Sequence, residues 1–577
     1  MTELRKRIEE LAIELTHIKS VVETPGERMM AQRIYDILSA LPYFAEHPHD
    51  LIKVPVENDS LDRFSVLAIV RGEKDFSLET VVSIGHLDTV GTSDYGRLEE
   101  FATQPHELTK RLKEVSLTSE AEEDLRSGDY LFGRGIFDMK TGDAILISII
   151  ERLAEDPKSF SGNLIYAAVA DEEANSKGML SVVPELVRLK KQENFNYLAL
   201  LDTDYMTELY PGDHNKYIYL GAIGKLMPSF HIVGKESHVG EAFKGLDANQ
   251  IASEIVRNVN LNPLYSDEVD GVVSMPPVTL KLRDLKPEYT VQTTRTAQLY
   301  FNYSTCSSTP GEVMLKMKAA AAISFENVLD TLNNHYEEYC DMSGLPYETL
   351  PFEPRVMSFQ DLVAEVEKEQ GQDFGEILEV WMRNLQNRSD LDDRDKSQAI
   401  VEYVHGLWSD REPVVIVYFM PPYYPHINVT SEYEAGRRVL ETLHEVLREN
   451  QGSDPLVLKK FFPYISDLSY GSAPLDDGSI LDLKSNLPGF GFTYDLPLEE
   501  MQELDLDGIN IGPFGKDAHK FTERLETRFS FEVAPKLVWD TIMKLLGNDL
   551  GLKPLPVDPP EEYLTDEKTL EPMTVEK

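Results

Sequence analysis

The residues of this sequence that are best suited to chemistry are imidazoles and carboxylates that follow apolar runs. His86 and Asp88 come directly after Val81-Val82-Ser83-Ile84-Gly85, a run typical of a buried parallel strand. In an extended chain the side chains of residues i and i+2 point the same way, so the Asp88 carboxylate can hold or polarise the His86 imidazole. A metal-bound histidine usually has such a carboxylate partner. The alternative is a surface histidine beside a solvated aspartate. The residues downstream favour the first interpretation.

Two further apolar runs also end in acids. Residues 163–170 lead into Asp171-Glu172-Glu173, and residues 197–201 lead into Asp202. Consecutive carboxylates at the end of a buried strand repel one another unless a cation compensates. A solvated acidic turn is the alternative, because most carboxylates are exposed. Since ligand sites of open α/β sheets lie at the carboxyl ends of strands, we expect these groups to face one site.

Asp138, in a glycine-rich stretch, and His519, near the end of the chain, complete the set. Zinc and similar metals accept nitrogen and oxygen ligands, and a site without thiolates is more often catalytic than structural. Two metals about 3.5–4 Å apart can share one carboxylate between them. Adjacent side chains of an extended segment point apart, so of Glu172 and Glu173 one can bind metal while the other acts as general base on a metal-bound water. This inventory predicts the hydrolysis of an amide.

The elements that must position these groups indicate an α/β fold. Apolar runs up to residue 201 predict a mostly parallel sheet flanked by helices. From about residue 225 the pattern changes, and we expect residues 225–424 to form an inserted α+β lid domain. Residues 1–224 and 425–552 would then be the two parts of the catalytic domain. The proline-rich, acidic residues 553–577 have little to bury and predict an extended or disordered tail.

Two regions are longer than such a fold requires. Residues 92–128 are polar and acidic, and predict a loop with a short helix that serves as a lid or as a mobile insert. The inserted domain carries an enlarged helical segment between about residues 310 and 410. Gly133-x-Gly135 could open a dinucleotide-binding loop, but the third glycine and a preceding strand of adequate length are missing. That interpretation is therefore disfavoured.

Composition excludes several classes of partner. With 56 basic and 100 acidic residues the formal net charge is −44, which argues against nucleic acid and against an anionic membrane surface. No run approaches the roughly 18 apolar residues of a membrane span, and the charged N-terminus lacks the apolar stretch of a signal peptide. We therefore expect a cytoplasmic protein. Cys306 and Cys340 are far apart and support neither a disulfide framework nor a thiolate zinc site.

The order of the motifs resembles the M20 family of metallopeptidases and deacylases. The resemblance is carried by Gly85-His86-Leu87-Asp88-Thr89-Val90, Gly133-Arg134-Gly135-Ile136-Phe137-Asp138-Met139-Lys140, Asp171-Glu172-Glu173, an acid after the next strand, and Ala518-His519 with Glu523. Each motif alone is weak, but five in this order are a specific signal. The length, the acidic loop and the large insertion look most like a branch of the family linked to arginine utilisation.

The resemblance implies a role for each residue. His86 and Asp202 would bind one divalent metal and Glu173 and His519 a second, with Asp138 bridging; zinc is the expected metal, with cobalt and manganese as alternatives. Asp88 would orient His86, and Glu172 would be the general base. In the family the inserted domain is a lid and dimerisation unit, and a histidine of one of its loops stabilises the tetrahedral oxyanion. His238 occupies that place here, where the alternative is an ordinary surface histidine.

The chain departs from the family pattern without losing a ligand. Gly91 stands where proline is frequent, and Thr141-Gly142 where two glycines are usual. In the inserted domain, Val291-Gln292-Thr293-Thr294 and Phe301-Asn302-Tyr303 replace the residues that meet a substrate α-carboxylate in the family. The resemblance therefore carries no inference about that carboxylate.

The leading hypothesis is a metal-dependent hydrolase that cleaves an amide bond in a small peptide or an N-acyl amino acid, within arginine catabolism, and forms a homodimer through the lid. One rival is a non-catalytic amino-acid-binding or regulatory protein that keeps the fold. A second rival is a metal-stabilised structural protein. Both rivals leave Glu172 without a task.

Overall fold

The structure, a computed structural model, describes residues 2–371 and 373–549. The predicted tail, residues 553–577, lies outside the described residues. Within them the strands are β1 Leu51–Pro55, β2 Phe64–Arg71, β3 Glu79–His86, β4 Tyr130–Phe132, β5 Asn163–Val169, β6 Asn196–Asp202, β7 Lys216–Leu220, β8 Gly224–Leu226, β9 Pro228–Val233, β10 Glu268–Val269, β11 Val272–Val273, β12 Val278–Asp284, β13 Thr296–Thr305, β14 Val356–Ser358, β15 Val414–Phe419, β16 Leu456–Lys459, β17 Gly508–Asn510, β18 Gly515–Lys516 and β19 Arg524–Glu526.

The α-helices of the described chain, apart from short 3-10 and π turns, surround these strands. They are α1 Thr2–His17, α2 Pro25–Ser39, α3 Pro42–Glu46, α4 Pro105–Arg111, α5 Ser119–Ser127, α6 Thr141–Glu155, α7 Lys177–Glu193, α8 Ala248–Val259, α9 Pro310–Ser343, α10 Phe359–Gln370, α11 Phe374–Gln386, α12 Asp393–Leu407, α13 Glu434–Glu449, α14 Asp477–Asn486, α15 Leu498–Leu504 and α16 Ala534–Leu545. Among them, no helix combines the length and apolar character needed to cross a lipid bilayer.

The largest sheet confirms the predicted α/β class. Its strand order is β1-β2-β5-β3-β6-β17-β7-β16, and its central strands β5, β3, β6 and β17 are mutually parallel. The pairs β1–β2, β2–β5 and β17–β7 are antiparallel, so the sheet is mixed toward its edges. Side chains alternate between the two faces: Val81 packs beneath one helix layer and Val82 beneath the other.

A second sheet lies within the predicted insertion. Its order is β12-β13-β9-β15-β14, with β8 paired to β13, and only β14–β15 is parallel. One face packs against α8 and α9, and the other against α10, α11 and α12. The helices α10, α11 and α12 of the enlarged segment thus cover the face opposite α8 and α9, since residues such as Val404 and Ile416 share one core.

The region between residues 92 and 128 is more ordered than the sequence predicts. Instead of a loop with one short helix, it forms α4, α5 and two 3-10 segments. Tyr95, Leu98, Leu108 and Leu112 pack with Phe132 in a small separate core. These apolar residues are spread among charged ones, so the individual pieces have little helical signal and depend on the shared core for their stability.

Candidate metal centre

The ends of three neighbouring strands bring the predicted residues together. In the parallel register His86 lies beside Val169 of β5, and Ile84 lies beside Asp202 of β6. The turn that carries Glu172 and Glu173 begins directly after β5. Because parallel strands end at the same edge of the sheet, the imidazole and the carboxylates meet there.

A small three-stranded sheet brings the late histidine to this edge. The strand β19 pairs with β18 on one side and with β4 on the other, so the loop that holds His519 lies beside the glycine-rich stretch after β4. Glu523 joins the two: its carboxylate accepts hydrogen bonds from Gly135 N at 2.7 Å and forms an ion pair with Arg134 at 2.9 Å. This contact positions the backbone immediately before Asp138.

The Asp138 carboxylate lies between two imidazoles. Its Oδ1 is 3.0 Å from His86 Nε2, and its Oδ2 is 3.0 Å from His519 Nε2. His519 Nε2 is also 3.1 Å from Glu173 Oε1. One ligand atom each of His86, Asp138 and Glu173 lie within 4.8 Å of one another. A carboxylate that offers one oxygen to each of two imidazoles has the arrangement of a bridging ligand.

Asp202 faces a narrow cleft next to this group. The cleft is lined by His86, Glu172, Asp202, Asp204 and Asp467, among others. Asp202 Oδ2 accepts a hydrogen bond from Ser466 Oγ at 2.7 Å, which orients the carboxylate. Asp202 and Glu172 therefore share a cavity wall with His86.

Asp88 supports the turn that follows β5. Its oxygens accept hydrogen bonds from the backbone N–H groups of Glu172 at 3.2 Å and Glu173 at 3.0 Å. The distance from Asp88 Oδ1 to His86 Nδ1 is 3.8 Å, which is longer than a hydrogen bond. In this structure Asp88 holds the acidic turn directly, and its orienting role toward His86 stays a prediction.

His238 is an exposed residue of the inserted domain, at the start of a short 3-10 segment. Its Nδ1 accepts a hydrogen bond from Gly240 N at 3.1 Å, and its backbone pairs with Gln292. None of its hydrogen bonds among the described residues reaches the cluster around Asp138. The structure thus does not bring His238 into contact with the other predicted site residues, and its substrate-binding role stays a prediction.

Electrostatics marks this edge as a site for cations. Burial opposes the protonation of His519, but its hydrogen bonds with Asp138 and Glu173 outweigh burial and raise its pKa to about 11. Burial favours the neutral form of Asp138, and the two imidazoles nevertheless lower its pKa. A divalent cation bound at the same nitrogen and oxygen atoms would replace the protons that these imidazoles otherwise hold.

For the cleft carboxylates, burial outweighs the interactions that favour the charged form. Burial is the main cause that raises the pKa of Glu172 and Asp204 well above the ordinary value, that of Asp202 to about 6, and that of Asp467 to about 8. Repulsion among these acids adds to the effect. Neither oxygen of Asp467, and not the Nδ1 of His86, has a hydrogen-bond partner in the described part of the chain. Buried oxygen and nitrogen atoms without partners fit divalent metal ions of the zinc type.

Sequence reasoning missed Asp204 and Asp467 as members of this cleft. Asp204 follows Asp202 by two residues, so the same strand-end argument could have included it. Asp467 stands in a polar turn more than 260 residues from Asp202. No spacing rule connects those two positions, and only the packing of the chain brings them together.

Comparisons with known proteins agree with the motif order. The sequence model of peptidase family M20/M25/M40 matches residues 84–459. Protein RocB of Bacillus subtilis (strain 168) is 33% identical over 545 residues, which cover 94% of this chain and 95% of that protein. Uncharacterized protein YqjN of the same organism is 35% identical over 540 residues, covering 93% and 96%.

A solved structure supports the fold. The crystal structure of a tripeptidase from Staphylococcus aureus superposes with a TM-score of 0.50 at 12% identity, covering 94% of this chain and 99% of that one. At this identity the similarity concerns the fold alone. The sequence matches confirm the family resemblance inferred from the motifs.

Proposed function

Since the chain belongs to peptidase family M20/M25/M40 and is thereby a metal-dependent amide hydrolase, we propose that it cleaves an amide bond in a small peptide or an N-acyl amino acid with Glu172 as general base. The observation that carries the proposal is the Asp138 carboxylate between two imidazoles, next to the half-buried carboxylate of Glu172, which is hydrogen-bonded to neither imidazole in the described part of the chain. A protein that only binds its ligand would have no need of this additional carboxylate.

The donor set suffices for two divalent cations. His86 and Asp202 would hold one, Glu173 and His519 the other, and Asp138 would offer an oxygen to each. When bound, the two ions supply Lewis acidity to the reacting groups. Zinc is the metal we expect for nitrogen and oxygen donors without thiolates, with cobalt and manganese as alternatives.

Glu172 has the environment of a general base. Burial raises its pKa, so its carboxylate can hold a proton taken from the attacking water and then deliver it to the leaving nitrogen. Asp88 fixes the backbone of the turn on which this carboxylate stands. Cleavage then yields a carboxylic acid and an amine, and Glu172 returns to its starting state.

The inserted unit, residues 225–424, is in this proposal a lid between the catalytic segments 1–224 and 425–552, and it is the expected surface of a homodimer. Within such a dimer the exposed His238 would reach a substrate. We also propose that the protein is cytoplasmic and acts in arginine catabolism. The link to arginine is supported by the likeness to Protein RocB, and a substrate screen decides it.

The test begins with metal content and turnover of the full chain. We expect protein loaded with zinc to hydrolyse members of a panel of dipeptides and N-acyl amino acids, including arginine derivatives. Glu172→Gln should lower kcat by at least about 10²-fold with unchanged metal content, since general base catalysis contributes about that much. The exposed Glu338→Gln, with the same chemical change, is the matched control. Turnover that survives Glu172→Gln would overturn the mechanism.

A further inference from the structure

His519 is the most exposed of the proposed metal ligands. It belongs to the loop between β18 and β19, and its imidazole reaches Asp138 and Glu173 from the surface of the molecule. A cavity of about 790 Å³ lies beside it, bounded by this loop and by the start of α5. Since the loop is not packed on that side, the position of His519 depends on what holds the rest of the loop.

The backbone of this loop needs such support. Asp517 and His519 have φ angles of 60° and 65°, in the left-handed region that glycine adopts most easily. Aspartate and histidine tolerate this region better than most residues do, but it remains sparsely populated for both. Such conformations persist where the surrounding structure fixes them. The loop therefore requires contacts beyond its own sequence.

Arg524, at the start of β19, joins the two ends of the loop. Its side chain is completely buried. Its Nη1 donates to a carboxylate oxygen of Asp517, two residues before His519, and to the backbone oxygen of Thr522 at 3.1 Å, three residues after it. Asp517 also accepts a hydrogen bond from Thr522 Oγ1 at 2.8 Å. The guanidinium thus closes the loop that presents the imidazole.

Helix α5 supplies carboxylates that hold this hairpin. Asp124 Oδ2 accepts a hydrogen bond from Arg524 Nε at 2.7 Å, and it lies 3.4 Å from Lys516 Nζ of β18. Glu120 Oε1 forms an ion pair with the same Lys516 Nζ at 2.5 Å. A buried guanidinium needs carboxylate partners to offset its desolvation. One helix therefore binds both strands on either side of the His519 loop.

An apolar contact joins the same two regions. Phe521, two residues after His519, packs against the small separate core around Phe132. That core is formed mainly by residues of the region between residues 92 and 128, which also contains α5. The loop is thus attached to this region by a buried ionic network and by an aromatic side chain.

We propose that α5, through Asp124, Arg524 and Lys516, holds His519 in position to bind the metal that it shares with Glu173. The region between residues 92 and 128 then sets the affinity of that metal. Asp124 and Arg524 act through the loop and are positioning residues. This inference rests on the proposed assignment of His519 as a ligand in the hydrolase, and it gives a role to the region that is longer than the fold requires.

The test measures zinc binding to the full chain by calorimetry, starting from metal-free protein. We expect wild type to bind two zinc ions. Asp124→Ala should bind one of them as wild type does and the other roughly 10–100-fold more weakly, the range typical of groups that orient metal ligands. Glu123→Ala, at an exposed position of the same helix, is the control and should bind both ions as wild type does.

A milder pair of variants guards against a general loss of folding. Lys516 is half-buried, and Lys516→Met removes its ion pairs with α5. We expect this variant to weaken the same zinc ion as Asp124→Ala does. Lys516→Arg keeps the cation and should restore wild-type zinc binding.

The His519→Ala background distinguishes positioning from a structural role. His519→Ala should itself weaken the zinc ion that Asp124→Ala weakens. Adding Asp124→Ala to it should cause no further loss of zinc affinity, because the effect is transmitted through His519. A merely structural role would instead weaken zinc binding equally in both backgrounds.

A second measurement needs no metal. Amide hydrogen exchange of the metal-free protein should become faster at residues 516–523 in Asp124→Ala, since the loop loses an anchor, and should stay unchanged in β3. Glu123→Ala should exchange like wild type in both segments.

The outcomes separate this inference from the proposed function. Wild-type zinc binding by both Asp124→Ala and Lys516→Met, or a further loss when Asp124→Ala is added to His519→Ala, overturns the positioning role and leaves the hydrolase proposal standing. Zinc affinity that depends on Asp124 when His519 is present, without turnover of any substrate in the panel, supports the positioning role and overturns the hydrolase proposal. Unchanged binding of both ions by His519→Ala overturns the positioning role together with the ligand assignment.

Discussion

Two groups of buried acids lie on opposite sides of the turn after β5, and they differ in how their charge is balanced. Asp171, with Glu27 and Asp59, surrounds the Arg63 guanidinium at 2.5, 2.8 and 2.9 Å. Glu172, the next residue, faces the cleft with Asp202, Asp204 and Asp467, where the described chain places no lysine or arginine among the lining residues. We call these the arginine cluster and the cleft cluster.

The comparison separates acids that serve stability from acids that bind a ligand. In the arginine cluster a fixed cation satisfies three carboxylates, and the chain itself completes the network. In the cleft cluster the Asp467 oxygens have no partner and burial raises the pKa of its members. Acids without a fixed cation can be balanced by a bound metal or by protonation, and this difference predicts opposite responses to substitution.

The largest expected effect comes from removing the fixed cation. Arg63→Met leaves Glu27, Asp59 and Asp171 buried without a counterion, and removing one partner of a buried ionic network costs about 3–5 kcal/mol. Urea unfolding should show that loss, whereas the exposed Arg28→Met should stay within about 0.5 kcal/mol of wild type. Equal stability of both variants would contradict the distinction between the clusters.

Two buried histidines of the inserted domain extend the comparison to groups that burial keeps neutral. The rings of His231 and His405 lie 5.5 Å apart, and burial lowers their pKa values to about 3 and about 4. These two imidazoles take up protons near pH 6.5 in the unfolded chain but not in the folded one, so the stability that they contribute is lost as the pH falls from about 6.5 toward their folded pKa values.

Between pH 7 and pH 5 this linkage should cost roughly 2 kcal/mol for each imidazole. Urea unfolding at the two pH values measures it. His405→Phe should reduce the pH dependence by about half of the imidazole contribution, while the exposed His335→Phe should not. A pH dependence that is the same in His405→Phe as in wild type would contradict the assignment.

A smaller effect of opposite sign is expected in the cleft cluster. Asp467→Asn removes an acid whose charged form is unfavourable in the metal-free protein, so the unfolding free energy without metal should rise by roughly 1–2 kcal/mol at pH 7. The stabilisation gained on adding zinc should shrink. Thermal melts with chelator and with zinc check both effects, with the exposed Asp330→Asn as control. If Asp467→Asn instead lowered the unfolding free energy of the metal-free protein, Asp467 would stabilise the fold as the acids of the arginine cluster do.

The strand ends could be predicted from the sequence because each residue follows directly from a local pattern. An apolar run that ends in His86, in Asp171-Glu172-Glu173 or in Asp202 predicts a strand and its exit, and parallel strands share an edge. The meeting of His519 with Asp138 was expected from the family resemblance, and the hairpin of β18 and β19 supplies its structural reason.

Other features depend on contacts between distant segments and have no local signal. Asp467 lines the cleft although it belongs to a turn in the second half of the chain. Arg63 forms an ion pair with Asp171 and not with Glu172, because adjacent side chains point apart. Arg394 contacts Asn175 across 219 positions of sequence. The helices between residues 92 and 128 depend on packing around Phe132, which a count of local apolar residues does not detect.

Anomalous diffraction from crystals grown with zinc would test most directly whether the acids and imidazoles at this sheet edge hold a pair of metals. We predict two zinc peaks, one within about 2.0–2.2 Å of His86 and Asp202 and the other within that distance of Glu173 and His519, with Asp138 between them. Crystals in which zinc binds elsewhere, while Asp138 still hydrogen-bonds both imidazoles, would contradict the account.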